Sequence, residues 1–303
     1  MISIIIPVYN GARFVKKCYE SLSGQTYKDW EAVFIDDGSN DNTVDELKLI
    51  ENDSRVRIIS KINEGVAVAR DIGIKNARGE YLTFLDIDDT LPSNALEKFV
   101  NSLKDEDVDV VIGGINIAYP NGKIKRIFYT SRYVEVNDAV KELCDGHIKW
   151  QLCAKAFKSD LFLNVYTPAG IMNGEDMAVC IQAVSNARRV KLLPVCVYNY
   201  IQHFSSVTHS EILPRIYAAL QAIKFLEEKM GHRLNVINKD CLYLLIISAG
   251  LRHKIDNRNK LVVDVLNKHL TASSLIRLPL VKAISLLVFK YFRINIFNNC
   301  FFR

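Results

Sequence analysis

Residues 1 to about 90 alternate strand patterns with helix patterns, and this order constrains the fold more than any other feature of the chain. Strands separated by helices predict a mostly parallel sheet with right-handed crossovers. Ligands of such sheets bind at the carboxyl ends of the strands. The predicted strands are Ser3 to Val8, Ala32 to Ile35, Val56 to Ile59 and Tyr81 to Leu85, and the predicted helices are Ala12 to Leu22, Thr43 to Ile50 and Gly65 to Ala77.

The alternation loosens after residue 92, and the last third of the chain is helical in pattern. We therefore expect an α/β fold with a C-terminal helical extension and with boundaries near residues 100 and 207. Later predicted features are a strand at Val108 to Ile117, a hairpin turn at Asn121–Gly122, a helix capped by Asn137, a helix at Asp176 to Ala187, a strand at Val190 to Tyr200, and helices at Ile216 to Met230 and Cys241 to Leu251.

Three carboxylates follow the fourth predicted strand within four residues, at Asp86, Asp88 and Asp89. Carboxylates this close repel one another unless a cation lies among them, and hard oxygen ligands suit Mg²⁺ or Mn²⁺. The pattern therefore indicates a divalent metal site that serves phosphates. A solvated acidic turn is the alternative for an isolated Asp-x-Asp.

Polar residues also follow the first and second strands, at Pro7–Asn10 and Asp36–Ser39. Since the carboxyl ends of parallel strands lie at one edge of a sheet, we expect these clusters and Asp86–Asp89 to converge on one pocket. Neither Gly-x-Gly-x-x-Gly after the first strand nor Gly-x-x-x-x-Gly-Lys-Ser/Thr occurs, so a phosphate group must be held in another way.

The net charge of +5 arises in the C-terminal tail, where six Lys or Arg and no Asp or Glu follow Asp264. Apolar residues between 275 and 293 are interrupted too often to span a bilayer, but basic and apolar residues together suit an interfacial helix on anionic lipid. Packing of this tail on the protein body is the alternative. Basic residues placed among aliphatic ones do not favour nucleic acid, and the N-terminus lacks a signal-peptide pattern, so we expect a cytoplasmic protein.

Several motifs, in order, resemble the inverting glycosyltransferases of family 2. That family transfers sugars from nucleotide sugars and has the GT-A fold, a Rossmann-like mixed sheet flanked by helices. The resemblance covers roughly residues 1 to 205 and implies a nucleotide-sugar-binding half at 1–100, an acceptor-binding half at 101–207 and a helical extension at 208–303. The motifs are Ser3–Asn10, Gln25–Glu31, Ile35–Asp41, Asn63–Gly73, Asp86–Ile87–Asp88 and Asn173–Met177.

The resemblance implies a role for each residue of a donor site. Pro7, Tyr9 and Asp37 would contact a uracil-type base, with the Asp37 carboxylate accepting the ring N–H. Asp36 and Arg70 would support the ribose and diphosphate. The Asp-x-Asp signature implies that Asp88 binds the metal, that Asp86 contacts the ribose or a metal-bound water, and that Asp89 orients both. Asp71 departs from the family, which usually has Asn at this position.

The resemblance also implies that Asp176 is the catalytic base. It would take the proton of an acceptor hydroxyl as that hydroxyl attacks the anomeric carbon in line, which inverts the configuration. Helix capping is the structural alternative. The family often has an aromatic residue shortly after this motif, whereas this chain has Met177 to Cys180.

Two further segments have weaker matches. Trp150 and Lys155 lie in a degraded version of a family element, and we give them a supporting role. His203 lies in a segment, Tyr198 to Thr208, that is similar to a loop closing over the diphosphate. There it could complete the metal shell or hold phosphate, or it could be structural.

Two rival functions remain from the sequence. Phe84 to Leu91 also resembles the first motif of haloacid-dehalogenase-type phosphatases, with Asp86 as nucleophile and Asp88 as acid/base. That motif belongs on the first strand of the sheet, whereas about 80 residues precede it here. The other rival is a non-catalytic glycan-binding protein, which would not need the carboxylates.

The favoured prediction is a metal-dependent inverting glycosyltransferase of the bacterial surface-polysaccharide type. It would use Mn²⁺ or Mg²⁺ and move a sugar from a nucleotide-diphosphate sugar, with a UDP-sugar favoured, to a hydroxyl of a lipid-linked or surface glycan in lipopolysaccharide, capsule or exopolysaccharide synthesis. We expect it to be peripheral on the cytoplasmic face of the inner membrane, in contact with anionic lipid through its tail.

Overall fold

A computed structural model describes residues 1–105, 107–203, 212–231, 239–251, 260–278, 282–284 and 286–287. The strands are β1 (Ile2–Val8), β2 (Trp30–Asp36), β3 (Val56–Ser60), β4 (Tyr81–Phe84), β5 (Val108–Ala118), β6 (Ile124–Ile127), β7 (Arg132–Glu135), β8 (Lys155–Lys158) and β9 (Arg189–Ile201). The helices are α1 (Ala12–Ser23), α2 (Thr43–Lys48), α3 (Val66–Asn76), α4 (Ala95–Leu103), α5 (Val136–Asp145), α6 (Glu175–Ser185), α7 (Ile212–Met230), α8 (Lys239–Leu251), α9 (Lys260–His269) and α10 (Ala272–Arg277), with a short 3₁₀ helix at Ser159–Phe162.

All nine strands form one mixed sheet. Its order is β3-β2-β1-β4-β8-β5-β9-β7, and β6 pairs with β5. The first four strands in this order are parallel, as the strand and helix alternation predicts. β8 is antiparallel to β4 and β5, and β9 returns parallel to β5. The carboxyl ends of β1, β2 and β4 therefore lie side by side at one edge.

Helices cover both faces of the parallel half of the sheet. On one face, alternate residues of β1 from Ile2 to Val8 belong to a core that also holds Val15, Cys18 and Leu22 of α1. On the other face, α3 approaches closely through Gly73. A Cβ atom at Gly73 would lie 2.4 Å from Ile5 Cγ2 and 2.7 Å from Ile35 Cδ1. Glycine at this position therefore lets α3 lie against β1 and β2.

The chain divides into two compact units. The first comprises residues 1–136, 151–170 and 183–209, and it holds the sheet. The second comprises 137–150, 171–182 and 210–303. Within the second unit, α8 packs against α7, α9 and α10. The sequence boundaries near 100 and 207 stay predictions.

The structure corrects one expectation and leaves another largely outside the residues that it describes. Asn137 does not cap a helix, because α5 begins at Val136, directly after the last residue of β7. Much of the basic tail from 275 to 293 lies outside the described residues, which include α10 and the short stretches 282–284 and 286–287. Within the ranges that the structure describes, no helix is both long and apolar enough to cross a bilayer.

Candidate active site

The loops after β1 and β2 are joined by hydrogen bonds at the carboxyl edge of the sheet. The backbone N–H of Asn10 donates to Ser39 Oγ (2.9 Å), and the N–H of Asn40 donates to Asn10 Oδ1 (2.8 Å). The N–H of Gly11, just before α1, donates to Thr43 Oγ1 (2.8 Å) at the start of α2. The polar clusters that follow the first two strands are therefore joined to each other, and their convergence with Asp86–Asp89 on one pocket stays a prediction.

Tyr9 and Pro7, both predicted to contact a base, differ in exposure. Pro7 is a buried residue of β1, whereas the Tyr9 side chain is 49% exposed beside the β2 loop. A half-exposed aromatic ring at this edge is available for stacking on a planar ligand. The role of each residue stays a prediction.

Asp37 is held by three donors. Lys61 Nζ (2.6 Å) and the Glu64 N–H (3.0 Å) reach Asp37 Oδ1, and the Gly65 N–H reaches Oδ2 (2.8 Å). An ionised carboxylate accepts about four hydrogen bonds. One acceptor position at Oδ2 therefore remains for a ligand N–H, and the predicted contact with a base is limited to that position.

Lys61 is a residue that sequence reasoning missed. Its side chain is buried, which opposes the charged form, but hydrogen bonds to Asp37 and Glu64 outweigh this and raise the pKa of Lys61. Strand register is the sequence signal that could have found this contact. Asp36 of β2 pairs with Ser60 of the parallel strand β3, so the residues that follow them, Asp37 and Lys61, also lie side by side.

Arg70 connects α3 to the carboxylate turn after β4. Arg70 is buried, and its Nη2 donates to Asp86 Oδ1 at 2.9 Å. Asp36, also buried, instead accepts the N–H of Ser39 (3.1 Å), so it shapes the β2 loop. The structure thus brings Arg70 and Asp86 together and leaves their predicted ligand roles untested.

Asp88 lies in a setting that favours a bound cation. Burial first, and then the negative charge of Asp86, raise the pKa of Asp88 above its ordinary value, while His203 and Arg13 oppose this rise. A positive charge placed between the two carboxylates would remove this repulsion.

Asp89 is the buried anchor of the turn. Its side chain accepts hydrogen bonds from the Tyr198 hydroxyl (2.7 Å) and from the Ile201 N–H (2.7 Å). Burial, followed by the charges of Asp86 and Asp88, raises the pKa of Asp89 to about 8. The Tyr198 hydroxyl also accepts the Asp86 N–H (3.2 Å), so one hydroxyl holds both ends of the turn. Sequence reasoning gave Tyr198 no role.

His203 lies on the α1 side of this turn. The centroid of the His203 ring is 5.0 Å from the centroid of the Phe14 ring. The Arg13 guanidinium also lies over the Phe14 ring, 4.5 Å from its centroid. His203 is therefore near enough to Asp88 to lower the pKa of that carboxyl. The rest of the predicted closing loop, from residue 204, lies outside the described residues.

Asp176 belongs to the second unit, in the first turn of α6. The residues before it fit closely on α7: a Cβ atom at Gly174 would lie 3.0 Å from Ala219 Cα, and Asn173 Nδ2 donates to the Arg215 carbonyl (2.9 Å). Gly174 has φ of +92°, a conformation that disfavours other residues. The motif is therefore fixed to α7, and the role of Asp176 as base stays a prediction.

The two supporting residues have different settings. Lys155 is buried in β8, where its Nζ donates to the Gln151 carbonyl. Trp150 is partly exposed and belongs to the second unit. Neither setting assigns a ligand role.

The carboxylate turn suits a cation that also binds ligand oxygens. Among the described residues, no group of three or more His, Cys, Asp or Glu side chains is arranged to hold a metal ion. Mg²⁺, however, is usually bound through one or two carboxylates together with water and substrate phosphates. Asp86 and Asp88 supply such oxygens, and burial followed by the charge of Asp86 raises the pKa of Asp88, so a cation beside both carboxylates would be stabilising. The residues therefore fit a divalent cation.

The architecture matches solved structures of other proteins. Residues 1–349 of S. aureus TarS, solved in complex with UDP-GlcNAc, superpose with a TM-score of 0.73 at 17% identity, covering 95% of this chain and 86% of that one. GalNAc-T7 with UDP, GalNAc and Mn²⁺ superposes with a TM-score of 0.55 at 17% identity, covering 74% and 47%. The chain has the GT-A fold, which confirms the predicted fold class.

Sequence comparison then gives the family. The model of glycosyl transferase family 2 matches residues 3–158, and the chain belongs to this family. EpsJ of Bacillus subtilis (strain 168), described as an uncharacterized glycosyltransferase, is 28% identical over 232 residues, which are 73% of this chain and 67% of EpsJ. The glycosyltransferase GlyG of Streptococcus pneumoniae serotype 4 is 37% identical over 115 residues, which are 37% of this chain and 38% of GlyG. The GlyG match thus spans well under half of either protein.

Proposed function

We propose that this family 2 glycosyltransferase transfers a sugar from a UDP-sugar to a hydroxyl of a lipid-linked or surface glycan, with inversion at the anomeric carbon. The observation that supports this proposal most is that Tyr9, Asp37, Arg70 and the Asp86–Asp89 turn are arranged at one edge of the sheet. It supports a donor site with a stacking ring, one buried carboxylate acceptor, and a basic and acidic pair for the ribose and diphosphate. The UDP-GlcNAc bound to TarS and the UDP bound to GalNAc-T7 support the choice of nucleotide.

The proposal assigns a task to each side chain. The Tyr9 ring stacks on the uracil, and Oδ2 of Asp37 accepts the uracil N–H. Asp86, held by Arg70, would contact the ribose or a metal-bound water, and Asp88 with His203 would hold Mn²⁺ or Mg²⁺. When bound, the divalent cation supplies Lewis-acid stabilisation of the negative diphosphate that leaves.

The proposed chemical step is a single displacement. Asp176 accepts the proton of the acceptor hydroxyl, and the hydroxyl oxygen forms a bond to the anomeric carbon from the face opposite the nucleotide. The bond from that carbon to the diphosphate oxygen breaks, and its electron pair remains on the diphosphate. Attack from the opposite face inverts the configuration.

The acceptor class rests on the composition of the tail. Six cations without an acid after Asp264, mixed with aliphatic and aromatic residues, suit contact with anionic lipid. We therefore propose a peripheral position on the cytoplasmic face of the inner membrane, where a lipid-linked saccharide would be available. The predicted division into donor, acceptor and helical segments at 100 and 207 belongs to this proposal.

A donor screen tests the proposed activity. Purified full-length protein is incubated with UDP-sugars and GDP-sugars, with Mn²⁺, Mg²⁺ or EDTA, and nucleoside diphosphate release is measured. We expect release from at least one UDP-sugar in the presence of metal. Release from GDP-sugars alone would contradict the nucleotide assignment, and release of inorganic phosphate from phosphomonoesters would favour the phosphatase alternative.

A further inference from the structure

The first unit contains a cleft that none of the predicted donor residues lines. It lies between α3 and residues 159–167, and its volume is about 620 Å³, within the ~300–1,000 Å³ of small-molecule sites. Its lining combines carboxylate, ammonium, hydroxyl, aromatic and aliphatic groups. The lining residues are Asp71, Ile74, Lys75, Ser159, Phe162, Leu163, Val165, Tyr166 and Thr167.

The charged groups of the cleft neutralise each other. Lys75 Nζ lies 2.6 Å from Asp71 Oδ2, and the Thr167 hydroxyl donates to Asp71 Oδ1 at 3.4 Å. A paired carboxylate and ammonium do not select an anion such as a phosphate or a nucleotide. They can still accept from and donate to the hydroxyl groups of a neutral ligand.

The apolar groups give the cleft a rigid floor and an exposed ring. Phe162 is 6% exposed and is fixed in a ring cluster, with centroids 5.8 Å from Phe84 and 5.3 Å from Phe157. The Tyr166 side chain, by contrast, is 52% exposed. An aromatic ring beside carboxylate and hydroxyl groups matches a pyranose, which has an apolar C–H face and hydroxyl groups around its edge.

We propose that this cleft binds a neutral sugar unit of the acceptor glycan, away from the hydroxyl that reacts. This inference rests on the proposed function for the identity of its ligand as an acceptor. Asp71 is next to Arg70 on α3, so a sugar in the cleft lies along the helix that carries the partner of Asp86. The carboxylate oxygens of Asp71 are acceptors for sugar hydroxyls.

The test is retention of the full-length protein on an array of bacterial polysaccharide fragments, without donor. We expect wild type to bind at least one neutral glycan, and Tyr166→Ala to bind it roughly 3- to 10-fold more weakly through loss of ring stacking. Thr167→Val, which removes the hydroxyl and keeps the shape, should also weaken binding. Tyr133→Ala is the matched control, because Tyr133 is 54% exposed but lies on β7, outside the cleft.

Calorimetric binding of UDP to the same proteins separates this proposal from the donor assignment. Retention of glycans that depends on Tyr166, together with no UDP binding, would contradict the donor assignment and support the cleft. Equal retention of wild type and Tyr166→Ala, or no retained glycan, would overturn the cleft proposal.

Discussion

A single buried hydroxyl, that of Tyr198, stabilises the carboxylate turn from β9. It accepts the Asp86 N–H and donates to Asp89, so its removal leaves a buried carboxylate with one donor fewer. We expect Tyr198→Phe to lower the free energy of unfolding by about 1–3 kcal/mol, the usual cost of an unsatisfied buried polar group. Denaturant unfolding measures this change.

The control for this prediction is Tyr133→Phe. It removes a hydroxyl that donates to Asp105 at 3.0 Å on the surface, so it should change the free energy of unfolding little. Equal losses in the two variants would show that the Tyr198 hydroxyl has no special role in holding the turn.

Asp176 provides the second prediction at the scale of residues. Asp176→Asn keeps the size of the side chain and removes its basicity, so we expect turnover to fall by about 10² to 10⁴ while UDP affinity stays nearly unchanged. Steady-state kinetics measures the turnover, and a UDP-binding assay measures the affinity. The neighbouring change Glu175→Gln is the control, and an equal loss there would argue against a specific base.

Motif residues could be placed from the sequence, whereas their partners could not. Asp37 and Asp88 belong to ordered motifs that follow strands, so their location at the sheet edge was predictable. Lys61 contacts Asp37 from 24 residues away, and Tyr198 contacts Asp89, next to Asp88, from 109 residues away. Only the arrangement of the strands in the sheet brings these residues near each other. Local sequence patterns carry no information on such contacts.

Among the elements, β5, β8 and the residue just before β9, Arg188, are joined by an ion cluster around Asp109. Its buried carboxylate accepts from Arg188 Nε (2.9 Å) and Nη2 (2.8 Å), and Lys158 Nζ lies at 2.8 Å. Burial opposes ionisation, yet the hydrogen bonds from Arg188 and Lys158 prevail and lower the pKa of Asp109 well below its usual range. The folded state therefore favours the ionised carboxylate.

This lowered pKa gives the third prediction. The stabilisation by Asp109 is present above the unfolded pKa of about 3.9 and is lost as pH falls towards the folded value. Asp109→Asn should thus have a lower free energy of unfolding than wild type at pH 7, and the difference should shrink below about pH 4. Denaturant unfolding across pH measures it. Asp107→Asn is the control, because Asp107 is a more exposed partner of Arg188. A difference in the free energy of unfolding between wild type and Asp109→Asn that does not change with pH would contradict the prediction.

The periodicity of the sequence predicted the elements better than their junctions. β1 to β4 and the helices between them lie within about two residues of the predicted limits at most ends. The helix predicted from Asn137 begins instead at Val136, because β7 passes into α5 without an intervening loop. Where a strand meets a helix directly, no polar cap marks the change.

At the scale of the whole molecule, the basic tail gives the fourth prediction. Deleting residues 271–303 would also remove Ser274, whose carbonyl accepts from Cys241 Sγ at 3.6 Å, so neutralising charge is the cleaner change. Each basic residue near an anionic surface contributes about 1 kcal/mol to membrane binding. The double variant Lys290→Gln with Arg293→Gln should therefore bind phosphatidylglycerol vesicles roughly 30-fold more weakly. Vesicle sedimentation measures this.

The control pair is Lys16→Gln with Lys17→Gln, which makes the same charge change at exposed positions of α1. It should leave vesicle binding nearly unchanged. Equal weakening by both pairs would show that only net charge matters, and it would remove the support for a lipid-binding tail.

The account depends most on the carboxylate turn after β4, and Asp88→Ala tests it most directly. The measurement is nucleoside diphosphate release from the best UDP-sugar. The control is Asp45→Ala, at an exposed position of α2, and thermal unfolding checks that each variant is folded. We predict that Asp88→Ala abolishes release while the protein stays folded, that Asp45→Ala keeps it, and that EDTA abolishes it in wild type. Full activity of folded Asp88→Ala, or of wild type in EDTA, would contradict the account.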